Sequence, residues 1–297
     1  MFNSELILDT QTQMFWDYSI YFVELSIIVY DYLLTLDAEV ERYWILRTRK
    51  DLTLSTALFF INRYLTLLGI FPIFVFTLWP EIIPGLMVSG SALLSGEGSA
   101  AWSVILQRCS RTLDLMHWIY IALEMSTVNL LFIIRTYALY GCHRWTWVFL
   151  GALWVCIWAN SLWQLYLASK TNLEQPPFSG GQINCIAGDT RQQALYNVYS
   201  WAGIVIFDVC VFAMTLWKTL RMRGLFLRRG IGAMLMRDGA IYFGAVALLN
   251  SINILFFLFS SDLTRGLLST FSSVMASILM SHLMLGLKGR LAVYDEI

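Results

Sequence analysis

Tyr30-Asp31-Tyr32-Leu33-Leu34-Thr35-Leu36, followed at once by Asp37-Ala38-Glu39-Val40-Glu41, closes an apolar segment that opens near Met14. Asp31 lies inside that segment and three acids follow its end. An ionisable side chain at the centre of an inserted helix costs about 2.5–3.5 kcal/mol, so Asp31 needs a partner if the segment spans a bilayer. The whole chain says that it does. Of its 297 residues 58% are hydrophobic and 13% charged, with a mean hydropathy of +0.64. Soluble domains carry about 25% charged residues, and a chain with half of that cannot cover a water-facing surface. Runs of about 20 apolar residues recur throughout, the length that crosses a hydrocarbon core as a helix. The prediction is an all-α, polytopic membrane protein: one domain over residues 1–297 with the lipid bilayer as its solvent.

Working outward, seven spans are expected: 14–36 (extending past the membrane as 37–44), 52–79, 112–140, 145–168, 194–220, 239–260 and 267–287. Pro72 is an expected kink in the second. Residues 80–108, with Pro84-Gly85 and the Ser/Gly-rich 89–99, are expected to be irregular, as is the loop 169–193 with Pro176-Pro177. Residues 1–13 contain Glu5 and Asp9 and no basic residue, unlike a secretory signal peptide.

Lys and Arg are unequally divided between the two sets of loops. Fourteen of the twenty fall on one side, five on the other, and Arg63 lies within the second span. The basic side includes Arg135, Lys218, Arg221, Arg223, Arg228, Arg229 and Arg237. By the positive-inside rule this side is cytoplasmic, which puts the N-terminus outside and the C-terminus inside. Cys109 and Cys185 then both face an oxidising compartment, where a disulfide between them is expected. Cys142, beside Arg144, reads as an inert thiol in preference to a palmitoylation site. The plasma membrane or secretory pathway is the expected location.

Depth selects which buried polar groups can meet. Asp31 lies about 8 Å from the end of its span and Arg63 about 16 Å from the start of the next, taking a rise of 1.5 Å per residue. The expectation is an Asp31–Arg63 pair, read as a latch between the first two helices in preference to a signalling or proton-carrying group. Glu24 lies seven residues before Asp31 on the same face. Asp114, His117 and Glu124 share a face of the third helix, Asp208 lies in the fifth, and Asn250 and Asn253 in the sixth. Two readings fit these seven equally: the lining of a polar ligand cavity, or interhelical hydrogen bonds with no cavity. Ser269, Ser273, Ser277 and Ser281, four residues apart, form a small-residue ridge suited to close helix approach. Trp147, Trp154 and Trp158 form a stripe read as lipid-facing or packing.

The opening stretch, with Glu39-Val40, Trp44 and Phe60-Ile61-Asn62-Arg63-Tyr64-Leu65, resembles the signature of DUF6533, a basidiomycete membrane family whose named region corresponds to about 21–65 here. Arg135-Thr136-Tyr137-Ala138-Leu139-Tyr140-Gly141, Thr215-Leu216-Trp217-Lys218 and Arg237-Asp238-Gly239 with Tyr242-Phe243 are similar to later stretches of the same family. The resemblance implies a seven-helix fungal integral membrane protein and no particular activity. A general similarity to rhodopsin-like receptors is limited. Ile134 stands before Arg135 where those have an acid, helices five to seven lack proline, and the seventh span has no lysine to carry retinal.

The three histidines are scattered, which argues against a metal hydrolase, and no phosphate-binding loop, nucleophile elbow or dinucleotide fingerprint is present. No basic patch interleaved with aromatics suggests nucleic acid, and no cofactor or metal is expected. The expected function is a receptor-like sensor of a small apolar ligand, with a heterotrimeric G protein as a candidate partner for the basic side. The alternatives are a small-molecule transporter or channel, and an intramembrane enzyme of terpene-cyclase type using Glu24, Glu124 or Asp208 as proton donor.

Overall fold

A computed structural model describes residues 2–45, 54–78, 98–170, 190–223, 231–260 and 265–295. Among these residues there is no strand. Seven α-helices are present: α1 Phe2–Glu39, α2 Leu54–Leu78, α3 Gly98–Leu139, α4 Arg144–Ser169, α5 Arg191–Arg223, α6 Ile231–Phe259 and α7 Leu267–Asp295. Each contains a stretch long and apolar enough to cross a membrane. In lipid every backbone N–H and C=O must be satisfied within the chain, which is why these apolar runs are helical throughout. The protein is a multi-pass membrane protein.

Several helices outrun the apolar windows that locate them. α3 begins at Gly98, so the part of the expected irregular loop from residue 98 to 108 is helical. Its Ala-Ala-Trp-Ser-Val-Ile-Leu-Gln run has no proline, and Arg108, Arg111 and Asp114 end the apolar window without ending the helix. Hydropathy marks where a helix can meet lipid; propensity carries it further. α2 runs on through Pro72. α1 passes directly into a π-helical turn, Val40–Ile45, which widens the coil just past Glu39. Such turns reorient successive side chains and recur at functional sites.

α3 and α7 form the centre. In their spans 56% and 61% of residues are buried, against 17% in α1 and 11% in α4. α7 packs on α1, α2, α3 and α6; α3 packs on α2, α4, α5 and α7. α4 presents Trp145, Trp147, Val148, Phe149, Val155, Leu162 and Trp163 outward, a surface suited to lipid. Exposed Trp145 and Trp217 near one end and Trp16 and Trp163 near the other mark the two interfaces. The apolar core joins Phe132 to Phe243, rings 4.7 Å apart, with Phe207, Val211, Leu131 and Met280 around them. α2 and α3 approach closely where a Cβ on Gly69 would fall 2.5 Å from the Tyr120 ring. The α3–α4 turn places Gly141 and Cys142 in left-handed backbone, φ 68° and 60°. That conformation is easy for glycine and unfavourable for cysteine.

Candidate functional site

The end of the bundle where α1 stops and α2 starts carries Arg42, Arg144, Lys218, Arg221 and Lys288 and is called the basic end below. Glu39 is fully buried there. Its Oε2 is 2.6 Å from Arg63 Nε, and its Oε1 accepts hydrogen bonds from Trp44 Nε1 at 3.1 Å and Tyr64 Oη at 3.0 Å. Arg63 Nη2 donates to Thr35 Oγ1 at 2.7 Å and to the Tyr32 carbonyl at 3.2 Å, and its guanidinium lies over the Tyr32 ring. The expected Asp31–Arg63 pair is therefore corrected: Arg63 pairs with Glu39, and Asp31 Oδ1 meets His282 Nε2 of α7. The reason is register. Asp31, Thr35 and Glu39 lie four residues apart on one face, and the helix continues past Leu36 through Glu39, as the extension expected over 37–44 provides. Arg63 thus meets α1 two turns further along than reckoned, and the acid held past the membrane proves to be a buried partner. The π-turn brings the next residues against α7. Arg42 Nη1 donates to the Leu285 carbonyl at 2.9 Å, and Tyr43 stacks on Phe59 while Lys288 Nζ lies over the Tyr43 ring, 4.1 Å from its centroid.

Above this clamp, α2, α3 and α7 meet along a seam of hydroxyls, amides and one carboxyl. Asn62 Nδ2 donates to the Ser277 carbonyl at 3.1 Å and to Ser281 Oγ at 3.2 Å, while Thr127 Oγ1 donates to Asn62 Oδ1 at 3.4 Å. Glu124 is fully buried; Thr66 Oγ1 donates to its Oε1 and Ser273 Oγ to its Oε2, both at 3.0 Å. Thr66 Oγ1 also contacts Ser277 Oγ and lies 2.7 Å from the Asn62 carbonyl. Further from the basic end, His117 Nε2 is 2.7 Å from Thr270 Oγ1. Glu24 of α1 is fully buried within electrostatic reach of Glu124, and among the described residues neither of its carboxyl oxygens has a hydrogen-bond partner. The serine ridge of α7, expected only to permit close packing, supplies much of this seam. Its four-residue spacing was legible; that the hydroxyls would meet Asn62, Thr66 and Glu124 was not, because those positions come from other helices.

The expected cavity residues fall into two groups. Glu24, His117 and Glu124 belong to the α3–α7 seam. Asp208 and Asn250 pair between α5 and α6, Asn250 Nδ2 donating to Asp208 Oδ2 at 2.7 Å. Asn253 is fully buried one turn along α6. A cleft of about 80 Å³ opens elsewhere, between α3, α4 and α5 in the half away from the basic end. Trp118, Trp158, Trp201, Ile121 and Ile157 give it apolar walls, and Asn197, Ser161 and Ser200 supply polar edges. A smaller void of about 20 Å³ between α1, α2 and α7 is bordered by Asp31, Arg63, Thr66, Ser277 and Ser281. Glu24, Glu124 and Asp208 border neither.

Residues 19–68 match the model of a family of unknown function, DUF6533. The matched segment contains the α1–α2 side of everything just described: Glu24, Asp31, Thr35, Glu39, Asn62, Arg63 and Thr66. Their partners Glu124, Ser273, Ser277, Ser281 and His282 lie beyond it. No curated protein and no solved structure matches the chain.

Of the expected basic-face residues, Arg135 packs near Tyr43 and Tyr242, Lys218 lies over the Tyr140 ring, and Arg221 is exposed. The side chains of Cys109, Asp114, Arg223 and Arg237, and the whole of Cys185, Arg228 and Arg229, lie outside the described residues. The expected Cys109–Cys185 bond is among them; Cys142, Cys156 and Cys210 are free. Among the described residues no three His, Cys, Asp or Glu side chains gather as a metal site.

Proposed function

We propose that the protein is a receptor-like sensor of a small apolar ligand, oriented with its basic end in the cytoplasm and bound at the α3–α4–α5 cleft. The observation that carries the reading is the cleft itself: aromatic and aliphatic walls with a few polar groups at the edge, the make-up of a small-molecule site. Leu162 of its lining is exposed on the lipid-facing side, so a ligand dissolved in the bilayer can enter laterally.

A route from cleft to seam supports a sensing role. Trp118, Ile121 and Ala122 line the cleft, and Tyr120 and Glu124 face the seam, all within two turns of α3. A ligand that shifts this part of α3 changes the hydrogen bonds at Glu124. A response requires that ligand to bind the shifted arrangement better than the other, by an amount that sets the size of the effect. The basic end, with Lys218 and the exposed Arg221, is the surface offered to a cytoplasmic G protein, and the Cys109–Cys185 bond would tie the opposite end.

The test is a panel of lipid-soluble compounds added to detergent-purified protein, followed by tryptophan fluorescence and melting temperature. A binder should quench the emission of Trp118, Trp158 and Trp201 and raise the melting temperature. Ala122→Phe, which fills the cleft, should remove both responses while the protein stays monodisperse. A binder that acts equally on the A122F variant overturns the assignment of the cleft.

A further inference from the structure

The Glu124 seam has properties that helix packing alone does not call for. Hydroxyls with a single hydrogen face several acceptors. Thr66 Oγ1 reaches Glu124 Oε1, the Asn62 carbonyl and Ser277 Oγ; Ser273 Oγ reaches Glu124 Oε2 at 3.0 Å and the Thr270 carbonyl at 2.9 Å. Each can rotate between partners, giving up one hydrogen and taking another. Glu124 has a second acid nearby, Glu24, fully buried with both oxygens unpartnered among the described residues. The cation on this side, Arg63, is committed to Glu39 and does not neutralise either acid.

The seam also has two ends. Near the basic end, the His282–Asp31 pair is open to the surroundings, with side chains 37% and 14% exposed. Between Asp31 and the Thr66–Ser277 contact lies the 20 Å³ void, where Asp31, Arg63, Thr66, Ser277 and Ser281 border it beside apolar Ile28, Leu67 and Ile278; it is large enough for one water molecule. In the other half, Tyr120 lies three residues from His117 and four from Glu124 on one face of α3, with its buried hydroxyl within electrostatic reach of Glu124 and Glu24. From His282 to Thr270, the partner of His117, is twelve residues of α7, roughly 18 Å at 1.5 Å per residue. The hydrocarbon core is about 30 Å thick, so the polar column covers more than half of it.

We propose that this α3–α7 seam is a proton path, with Glu124 as its buried relay acid. A proton taken up at the His282–Asp31 pair passes to water in the void. That water gives one of its own hydrogens to the Thr66–Ser277 hydroxyls, which pass one of theirs to a carboxylate oxygen of Glu124. Glu124 releases its proton toward Tyr120 and His117, and the hydroxyls rotate back to their starting arrangement. One proton enters and one leaves. The groups facing Glu124 are Glu24 from α1, Thr66 from α2, Tyr120 from α3 and Ser273 from α7. The path does not depend on the ligand cleft; it is a second activity.

The experiment uses full-length protein reconstituted into liposomes containing a trapped pH-sensitive dye, with a potassium gradient and valinomycin setting the potential and choline as the only other cation. Wild-type protein should change internal pH faster than protein-free liposomes do. Glu124→Gln should fall to the protein-free rate, Glu124→Asp should recover part of the flux, and Thr66→Val should slow it, each checked as monodisperse before reconstitution. If Glu124→Gln does not fold, Thr66→Val and Asp31→Asn decide the matter, and both must slow the flux. A wild-type rate equal to that of empty liposomes, or variants that conduct like wild type, overturns the proposal. Neither result bears on ligand binding at the cleft.

Discussion

At the scale of single residues, the decisive contact is Arg63 with Glu39. Both are buried in a segment that lipid surrounds, so removing one partner strands the other as an uncompensated charge. Arg63→Met should therefore lower stability by about 3–5 kcal/mol, and Glu39→Gln with Arg63→Met should recover a large part of that loss. Melting temperatures in detergent provide the measurement, and an additive double variant would contradict the pairing. Asp31→Asn should be milder, because its partner His282 is partly exposed and Arg63 is held elsewhere. A charged pair at the α1–α2 junction was readable from the sequence because a lone Asp31 or Arg63 in lipid is untenable. Which acid meets Arg63 was not readable. It depends on where α1 meets α2 along its length, and a sequence does not locate that meeting point to within the two turns that separate Asp31 from Glu39.

At the scale of elements, α2, α3 and α7 hold together by close approach and by hydroxyls, because apolar side chains gain little from one another in a solvent that is itself apolar. Gly69 marks the point where α2 comes nearest to α3, against the Tyr120 ring. Gly69→Leu should push these helices apart and lower the melting temperature, while Gly151→Leu, where an added Cβ meets nothing within 4 Å, should leave it close to wild type. Equal losses would contradict the packing described. The seven spans were all legible from runs of apolar residues, since length and hydropathy set the crossing. The early turns of α1 and α3, before residues 14 and 112, were not, since polar helical turns leave no hydropathic signal. The serine ridge was visible as a periodic pattern, but its role emerged only when α7 was seen against Asn62, Thr66 and Glu124.

For the whole molecule, the arrangement separates two features. The cleft lies between α3, α4 and α5, and the polar seam runs between α2, α3 and α7, with α3 common to both. The sensor reading depends on a frame of seven crossings that puts the termini on opposite sides, with the basic end inside the cell. Cys142 is exposed at the α3–α4 turn on that basic end, which makes it a reporter already in place. The direct measurement is labelling of a variant that retains Cys142 alone and carries an epitope tag at its N-terminus, using a membrane-impermeant maleimide and an antibody on intact cells. The account predicts that the antibody binds without permeabilisation and that Cys142 reacts only after it. Cys142 labelled in intact cells, or both sites found on the same side, would contradict the account.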